Sequence, residues 1–175
     1  RTERLDHVRK SFPAVAGVTD FDQVVGDPEV DAVAIATPVR FHHDMARRAL
    51  LAGKHVFLEK PMAASTAQCA ELIRLADQRG LTLMVGHTFV YTSPVRKIKE
   101  IIASGEIGEV LYISSRRLNL GLFQNDINVA WDLAPHDVSI ILYILDHAPV
   151  SVNCQGKAHL RADIEDVTNM TINFA

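Results

Sequence analysis

Short apolar runs alternate with longer stretches of helical periodicity over the first half of the chain. Residues 32–36, 55–58 and 81–85 predict strands, and the first of these is continuously apolar, which is typical of a strand covered on both faces. Between the strands, apolar residues recur three and four positions apart and predict helices over about 41–52 and 65–80. This alternation predicts βαβ units on a parallel sheet.

The second half of the chain follows a different pattern. Helices are predicted over residues 93–105 and 132–145, whereas residues 110–120, 150–159 and 167–174 show the apolar and polar alternation of strands with one exposed face. Because a single half-buried hairpin is not stable alone, we expect an antiparallel sheet backed by a helix. The change of pattern places a domain boundary near residues 86–92.

Length and composition narrow the class of protein. The 175 residues, with 48% hydrophobic content and a net charge of −3, predict a soluble chain of one domain plus part of another, with no basic field for nucleic acid. The longest apolar runs are far shorter than the roughly 20 residues of a membrane span. Cys69 and Cys154 have no paired spacing, which favours reduced thiols and a cytoplasmic location.

Polar residues follow each predicted parallel strand. Thr37 and His42 follow the first, Lys60 follows the second and His87 follows the third. Parallel strands present their carboxyl ends at one edge of a sheet, so we expect these residues in one ligand crevice. Each also has an ordinary interpretation as a turn residue, a polar residue at a helix start or a surface charge. Their convergence favours a site.

A second group of polar residues begins the helix predicted over 132–145. Asp132 and His136 are four positions apart and share a helical face, with Pro135 expected in the first turn. The partial positive charge of a helix N-terminus favours an ionised Asp132 and a neutral His136 that can accept a proton. The alternative is a capping aspartate beside a partly buried histidine. Asp137 is interpreted as an exposed or capping carboxylate.

Other candidates carry weaker signals. His42 and His43 are adjacent, so their side chains diverge on a helix, and we expect no metal site. Arg116 and Arg117 could hold a substrate phosphate or could form only a charged edge. The sequence contains no G-x-S-x-G motif, Walker A motif or nucleophilic cysteine motif.

Five features in a fixed order make the whole chain resemble the Gfo/Idh/MocA oxidoreductases, the family of glucose-fructose oxidoreductase and inositol 2-dehydrogenase. They are Asp-Ala-Val-Ala-Ile-Ala-Thr-Pro at 31–38, His42, Ala-Gly-Lys-His-Val at 52–56, Glu-Lys-Pro at 59–61, and Asp132-x-x-x-His136. The resemblance implies an α/β Rossmann domain over residues 1–90, which binds NAD or NADP. A largely antiparallel α+β domain over residues 91–175 would follow it.

The resemblance also implies roles for individual residues. Lys60 would be the active-site lysine, His136 the proton-transfer residue and Asp132 its acidic partner. The positions that match cofactor-lining residues of the family are Thr37, Pro38, His42, Glu59, Lys60 and Pro61. The Lys60–Pro61 bond matches one that is often cis in the family.

The function implied by the resemblance is NAD(P)-dependent hydride transfer at a secondary alcohol of a sugar, inositol or nucleotide sugar. The partner would be this small molecule, and the protein would be a homo-oligomer, either a dimer or a tetramer. Two alternatives stay open: a non-catalytic dinucleotide-binding sensor or co-regulator, and an NAD-dependent enzyme of glycosidase type.

One departure from the family concerns the phosphate-binding turn. No G-x-G-x-x-G occurs, and Gly17, Gly26 and Gly53 are isolated. We therefore expect the first βαβ unit to be missing, the second domain to be truncated, and cofactor binding by these residues alone to be poor.

Overall fold

A computed structural model describes residues 2–118, 123–124 and 127–175, and the chain divides into unit 1 (Arg1–Val85) and unit 2 (Gly86–Ala175). The α-helices are α1 (Thr2–Ser11), α2 (Phe21–Gly26), α3 (His42–Leu51), α4 (Thr66–Arg79), α5 (Ser93–Ala103) and α6 (Val129–Leu145). The strands are β1 (Ala32–Ile35), β2 (His55–Leu58), β3 (Leu83–Val85), β4 (Pro149–Lys157) and β5 (Val167–Phe174). Short 3-10 helices span Val39–Phe41 and Thr88–Tyr91. Among the described helices, none has the length and apolarity that a membrane crossing requires.

The sheet of unit 1 confirms the predicted parallel βαβ arrangement. Its order is β1–β2–β3, with Ala34 paired to Phe57 and Phe57 paired to Met84. Helix α3 connects β1 to β2, and helix α4 connects β2 to β3. The carboxyl ends of the three strands therefore lie at one edge of the sheet.

The expectation that the first strand is covered on both faces is wrong for the described residues. Val33 and Ile35 are buried, whereas Ala32 and Ala34 on the opposite face are exposed. Alanine counts as apolar in a pattern although it has little surface to bury, so the true alternation of small and large residues was hidden. The core of unit 1 lies on the Val33 side.

Helices α3 and α4 supply half of the buried residues of that core. Leu50 of α3, Leu58 of β2 and Leu72 of α4 are each 0% exposed. The predicted ends of α4 are confirmed, because the Ser65 hydroxyl accepts a hydrogen bond from the Gln68 amide and Gly80 adopts a left-handed φ of 63°. Ile73, although apolar and adjacent to Leu72, is 48% exposed.

Unit 2 contains the predicted antiparallel hairpin, in which β4 pairs with β5 and Val152 lies opposite Ile172. Helix α6 begins three residues earlier than predicted, because the Asn128 side chain caps it by accepting a hydrogen bond from the Trp131 amide at 3.0 Å. Pro135 consequently lies inside the helix and not in its first turn.

The strand predicted over residues 110–120 is not formed in its described part. Residues 110–118 have no strand assignment, and residues 119 and 120 lie outside the described residues. A strand is defined by a hydrogen-bonded neighbour, which alternation along one segment cannot supply.

Candidate functional site

Connections after β1 and β2 in unit 1 are joined by the side chain of His42, the first residue of α3. Its Nδ1 lies 2.8 Å from the carbonyl oxygen of Pro61, and its Nε2 lies 2.7 Å from the carbonyl oxygen of Thr37. Both carbonyl oxygens can only accept hydrogen bonds. A protonated His42 ring can therefore donate to both oxygens, and a neutral ring can donate to one. His42 therefore ties two strand ends together at the predicted ligand edge.

This geometry limits what His42 itself can contact. The residue is 1% exposed, and both ring nitrogens face protein carbonyls. Any contribution of His42 to ligand binding consequently acts through the backbone of Thr37 and Pro61. The Thr37 hydroxyl lies 3.7 Å from the Met45 sulfur, a weak contact that a better acceptor can displace.

Lys60 follows β2 and is half-buried. The amide of Glu59 donates to the carbonyl of Ile35 at 2.9 Å, which extends the β1–β2 pairing up to the Glu-Lys-Pro segment. The Glu59 carboxylate accepts from the Lys60 amide at 3.2 Å, and the Lys60–Pro61 peptide bond is cis. Thr37, His42 and Lys60 thus belong to neighbouring connections of unit 1, as predicted.

The neighbouring His43 has a surface role. Its Nε2 lies 2.9 Å from the Glu71 carboxylate, which also accepts from Arg47 at 2.9 Å. Those two contacts hold the pKa of Glu71 below its usual range, despite a small opposing effect of burial. Within residues 2–118, 123–124 and 127–175, no group of three or more histidine, cysteine, aspartate or glutamate side chains could hold a metal ion.

In unit 2, Asp132 and His136 are one turn apart on α6. Asp132 is in the first turn, where the helix dipole favours a carboxylate. It lines a cavity of about 430 Å³ together with residues of the β4–β5 connection and of the α6 start. Polar groups in the lining include Asn128, Arg161 and Glu165. Six of the twelve lining residues are polar or charged, and a volume of this size lies in the range of small-molecule pockets.

The His136 ring contacts Phe89 of the 3-10 helix 88–91. Their ring centroids are 4.8 Å apart and the ring planes meet at 73°, an edge-to-face arrangement. Sequence reasoning missed Phe89, because a single aromatic residue in a connection has no periodic signal. It becomes visible only when the 3-10 helix packs against α6.

Asp137 differs from its interpretation in the sequence as an exposed or capping carboxylate. Its side chain is only 23% exposed, and it accepts hydrogen bonds from Ser115 at 2.7 Å and from Arg117 at 2.8 and 3.3 Å. Burial opposes ionisation, but these bonds outweigh it and hold the pKa of Asp137 below its usual value. Arg117 is thereby engaged within unit 2, and Arg116 and Arg117 are both exposed.

His87 belongs to unit 2, two residues after β3. Burial lowers its pKa, and its buried Nδ1 has no hydrogen-bond partner among the residues that the structure describes. A buried polar atom of this kind is typically satisfied by water or a ligand.

The residues present fit one half of a dinucleotide. Thr37, Glu59 and Lys60 offer a hydroxyl, a carboxylate and an ammonium at the sheet edge, groups that can bind ribose or nicotinamide. Among the described residues, Gly26 and Gly53 are isolated glycines, and a Cβ at either position would meet nothing within 4 Å, so neither forms a close phosphate-binding turn.

Comparison with known proteins extends these observations. Residues 1–87 match the family described as oxidoreductase, NAD-binding Rossmann fold, and residues 95–175 match the GFO/IDH/MocA C-terminal domain. A scyllo-inositol 2-dehydrogenase (NADP(+)) of Bacillus subtilis is 28% identical over 186 residues, covering 99% of this chain and 51% of that protein.

A second relative, from Comamonas testosteroni, is named 1-carboxy-3-chloro-3,4-dihydroxycyclohexa-1,5-diene dehydrogenase. It is 33% identical over 159 residues, covering 85% of this chain and 40% of that protein. The crystal structure of an NAD-binding protein from Listeria innocua aligns with a TM-score of 0.89 and 25% identity, over 99% of this chain and 52% of that one. The chain thus spans about half, or less, of the length of these relatives.

Both halves of the chain match consecutive domains of one family, and the fold agrees with that of its solved structures. The predicted fold class, an α/β Rossmann domain followed by an α+β antiparallel domain, is confirmed, as is NAD or NADP as the cofactor class of the family. The chain therefore belongs to the Gfo/Idh/MocA oxidoreductases.

Proposed function

We propose that the protein catalyses reversible NAD(P)-dependent oxidation of a secondary alcohol on a sugar, inositol or nucleotide sugar. The observation that carries this proposal is the Asp132–His136 pair on α6, with Asp132 opening onto a cavity of about 430 Å³. The names of the two relatives add support, since both describe dehydrogenases of ring compounds that carry hydroxyl groups.

In this proposal each residue has a distinct task. His136 accepts the proton of the substrate hydroxyl, and Asp132 orients the imidazole and stabilises its protonated form. Lys60 holds the reacting oxygen by hydrogen bond and charge. Bound NAD or NADP supplies the hydride chemistry.

The proposed cofactor residues are Thr37, Pro38, Glu59, Lys60 and Pro61, with His42 fixing two of the strand ends through its contacts to Thr37 and Pro61. The proposal also includes a homo-oligomer in the cytoplasm that acts on a small molecule. These assignments follow the residue pattern of the family and the chemistry of the side chains.

The test is NAD(P)H formation by the purified full-length protein with scyllo-inositol, myo-inositol, glucose and UDP-N-acetylglucosamine. His136→Asn should lower kcat by about a hundred- to ten-thousandfold and leave the cofactor Kd unchanged, because general acid–base catalysis contributes about that much. The matched control is His147→Asn, which replaces an exposed histidine just after α6 and should keep native turnover.

Unchanged turnover in His136→Asn would overturn the assignment. Tightly held NAD with no net reduction of added cofactor would instead favour the glycosidase-type alternative. Cofactor binding without chemistry on any of the four compounds, together with ligand-dependent binding of a partner, would favour the sensor.

A further inference from the structure

We infer that Phe89 is a positioning residue that fixes the plane of the His136 ring for proton transfer, and this inference rests on the proposed function. The two rings meet edge to face, with centroids 4.8 Å apart and planes at 73°. Such pairs are favourable at this separation and geometry. The χ2 torsion of a histidine is intrinsically broad, and edge-to-face packing against Phe89 narrows the range of ring planes, in addition to the orienting role proposed for Asp132.

Phe89 is itself held on both sides. Its carbonyl accepts from the Thr92 amide at 3.1 Å and from the Thr92 hydroxyl at 2.7 Å, which fixes the end of the 3-10 helix. The Arg117 guanidinium lies 5.3 Å from the centroid of the Phe89 ring, a cation–π contact. The backbone of Phe89 is therefore fixed, and its ring, in a residue that is 39% exposed, is covered in part by Arg117 and His136.

Arg117 connects this arrangement back to α6. It forms two hydrogen bonds to Asp137, the residue directly after His136, at 2.8 and 3.3 Å. The sequence of contacts runs from His136 to Phe89, from Phe89 to Arg117, and from Arg117 to Asp137. Because Asp137 lies on the same helix as His136, these contacts orient the His136 ring relative to the backbone of α6.

Phe89 has no proton to exchange and no charge, and its ring contacts His136, so we assign its effect on the reaction to that contact. A general base accepts a proton along the lone pair of its nitrogen, and a small misplacement of that nitrogen lowers the rate steeply. Loss of the Phe89 ring should consequently lower kcat while the KM for substrate and the Kd for cofactor stay unchanged.

The experiment compares three variants of the full-length protein in the NAD(P)H assay. Phe89→Leu, which keeps apolar volume but removes the ring, should lower kcat about tenfold with KM within about twofold of native. Phe89→Tyr keeps the ring and should restore kcat to within about twofold. The matched control Tyr91→Leu removes a more exposed ring from the same 3-10 helix, where it contacts Arg96, and should leave both constants unchanged.

NMR of the ligand-free protein supplies a readout that does not need turnover. Nuclear Overhauser contacts should join the ring protons of Phe89 and His136, and the His136 ring resonance should shift in Phe89→Leu but not in Tyr91→Leu. The same spectra report whether each variant is folded.

The two proposals fail in different ways. If His136→Asn loses turnover while Phe89→Leu retains native kcat, or if Phe89→Tyr is as impaired as Phe89→Leu, the positioning role is wrong and the proposed function stands. If His136→Asn retains turnover, or if the native protein turns over none of the four compounds, the proposed function fails and the positioning role fails with it.

Discussion

The two units stabilise their sheets in different ways. In unit 1, three parallel strands share a core with α2, α3 and α4, and its centre contains side chains that are 0% exposed. In unit 2, all nine residues of β4 are exposed, and Val95 and Ile144 are the buried hydrophobic residues among those described. Among the described residues, unit 2 therefore has fewer buried apolar side chains than unit 1, and polar and ring contacts surround α6.

The comparison shows where each kind of site residue is placed. Lys60 and Thr37 follow strands that a packed core fixes in register, and the buried His42 side chain holds the carbonyls of Thr37 and Pro61 at the same edge. Asp132 and His136 stand on a helix with a sparse core, and specific side chains such as Asn128 and Phe89 fix them. The sheet positions one group through burial, and local contacts position the other.

The largest expected effect tests the core of unit 1. Leu58→Ala should lower the free energy of unfolding by about 2–5 kcal/mol, because it leaves a cavity in a fully buried position. The control Val152→Ala, on a strand position that is 63% exposed, should change it by less than about 0.5 kcal/mol. Urea unfolding followed by circular dichroism measures both variants.

Trp131 allows the unfolding of unit 2 to be followed separately, since it is the sole tryptophan of the chain and lies on α6. Its fluorescence follows unit 2, whereas circular dichroism follows both units. Similar losses in Leu58→Ala and Val152→Ala would contradict the contrast between the two sheets.

A smaller effect is expected at the His42 link. His42→Ala should lower the free energy of unfolding by about 2–4 kcal/mol, because it removes a buried side chain and leaves the carbonyls of Thr37 and Pro61 without this partner. His43→Ala, which removes a partly exposed contact to Glu71, should cost less than about 1 kcal/mol. The urea unfolding midpoints of His42→Ala and His43→Ala test whether burial, and not residue type, determines the loss of unfolding free energy.

The smallest effect concerns the β4–β5 connection of unit 2. Hydrogen bonds from the His159 side chain and from the His159 and Leu160 amides lower the pKa of Asp166 to about 2. A carboxylate with a lowered pKa stabilises the fold above its unfolded value of 3.8, and this contribution is lost as pH falls through about 2. Asp166→Asn should therefore flatten the loss of stability below about pH 4.

Trp131 fluorescence in urea, repeated between neutral pH and pH 2, measures this dependence. Asp163→Asn, an exposed position on the same connection, is the matched control and should keep the native pH profile. An unchanged pH profile in Asp166→Asn would show that the charge of Asp166 does not contribute to the free energy of unfolding.

Much of unit 1 could be predicted because local signals agreed with the tertiary structure. Ser65 and Gly80 marked the ends of α4, and the apolar runs gave all three parallel strands within two residues. In unit 2 the signals were weaker. The start of α6 was missed because Asn128 lies before a stretch without clear periodicity, and the strand over 110–120 was overpredicted because alternation does not require a pairing partner.

The candidate site divides in the same manner. Spacing alone put Asp132 and His136 on one helical face, and the connectivity of parallel strands put Thr37 and Lys60 at one edge of the sheet. Nothing in the sequence distinguished His42 as a doubly bonded internal link, or Asp137 as the partner of Arg117. The His42–Pro61 and Asp137–Arg117 pairings join residues 19 and 20 positions apart, and only packing decides which of many possible partners meet.

The sequence by itself determined the alternation of strands and helices from β1 to β3, the residue types at the strand ends, and the family. These properties depend on periodicity, capping and short motifs, which are local along the chain. The tertiary structure decided which polar groups are satisfied, which face of β1 is buried, and which ring lies against His136. These properties depend on contacts between distant residues, and their free energies exist only once the elements have packed.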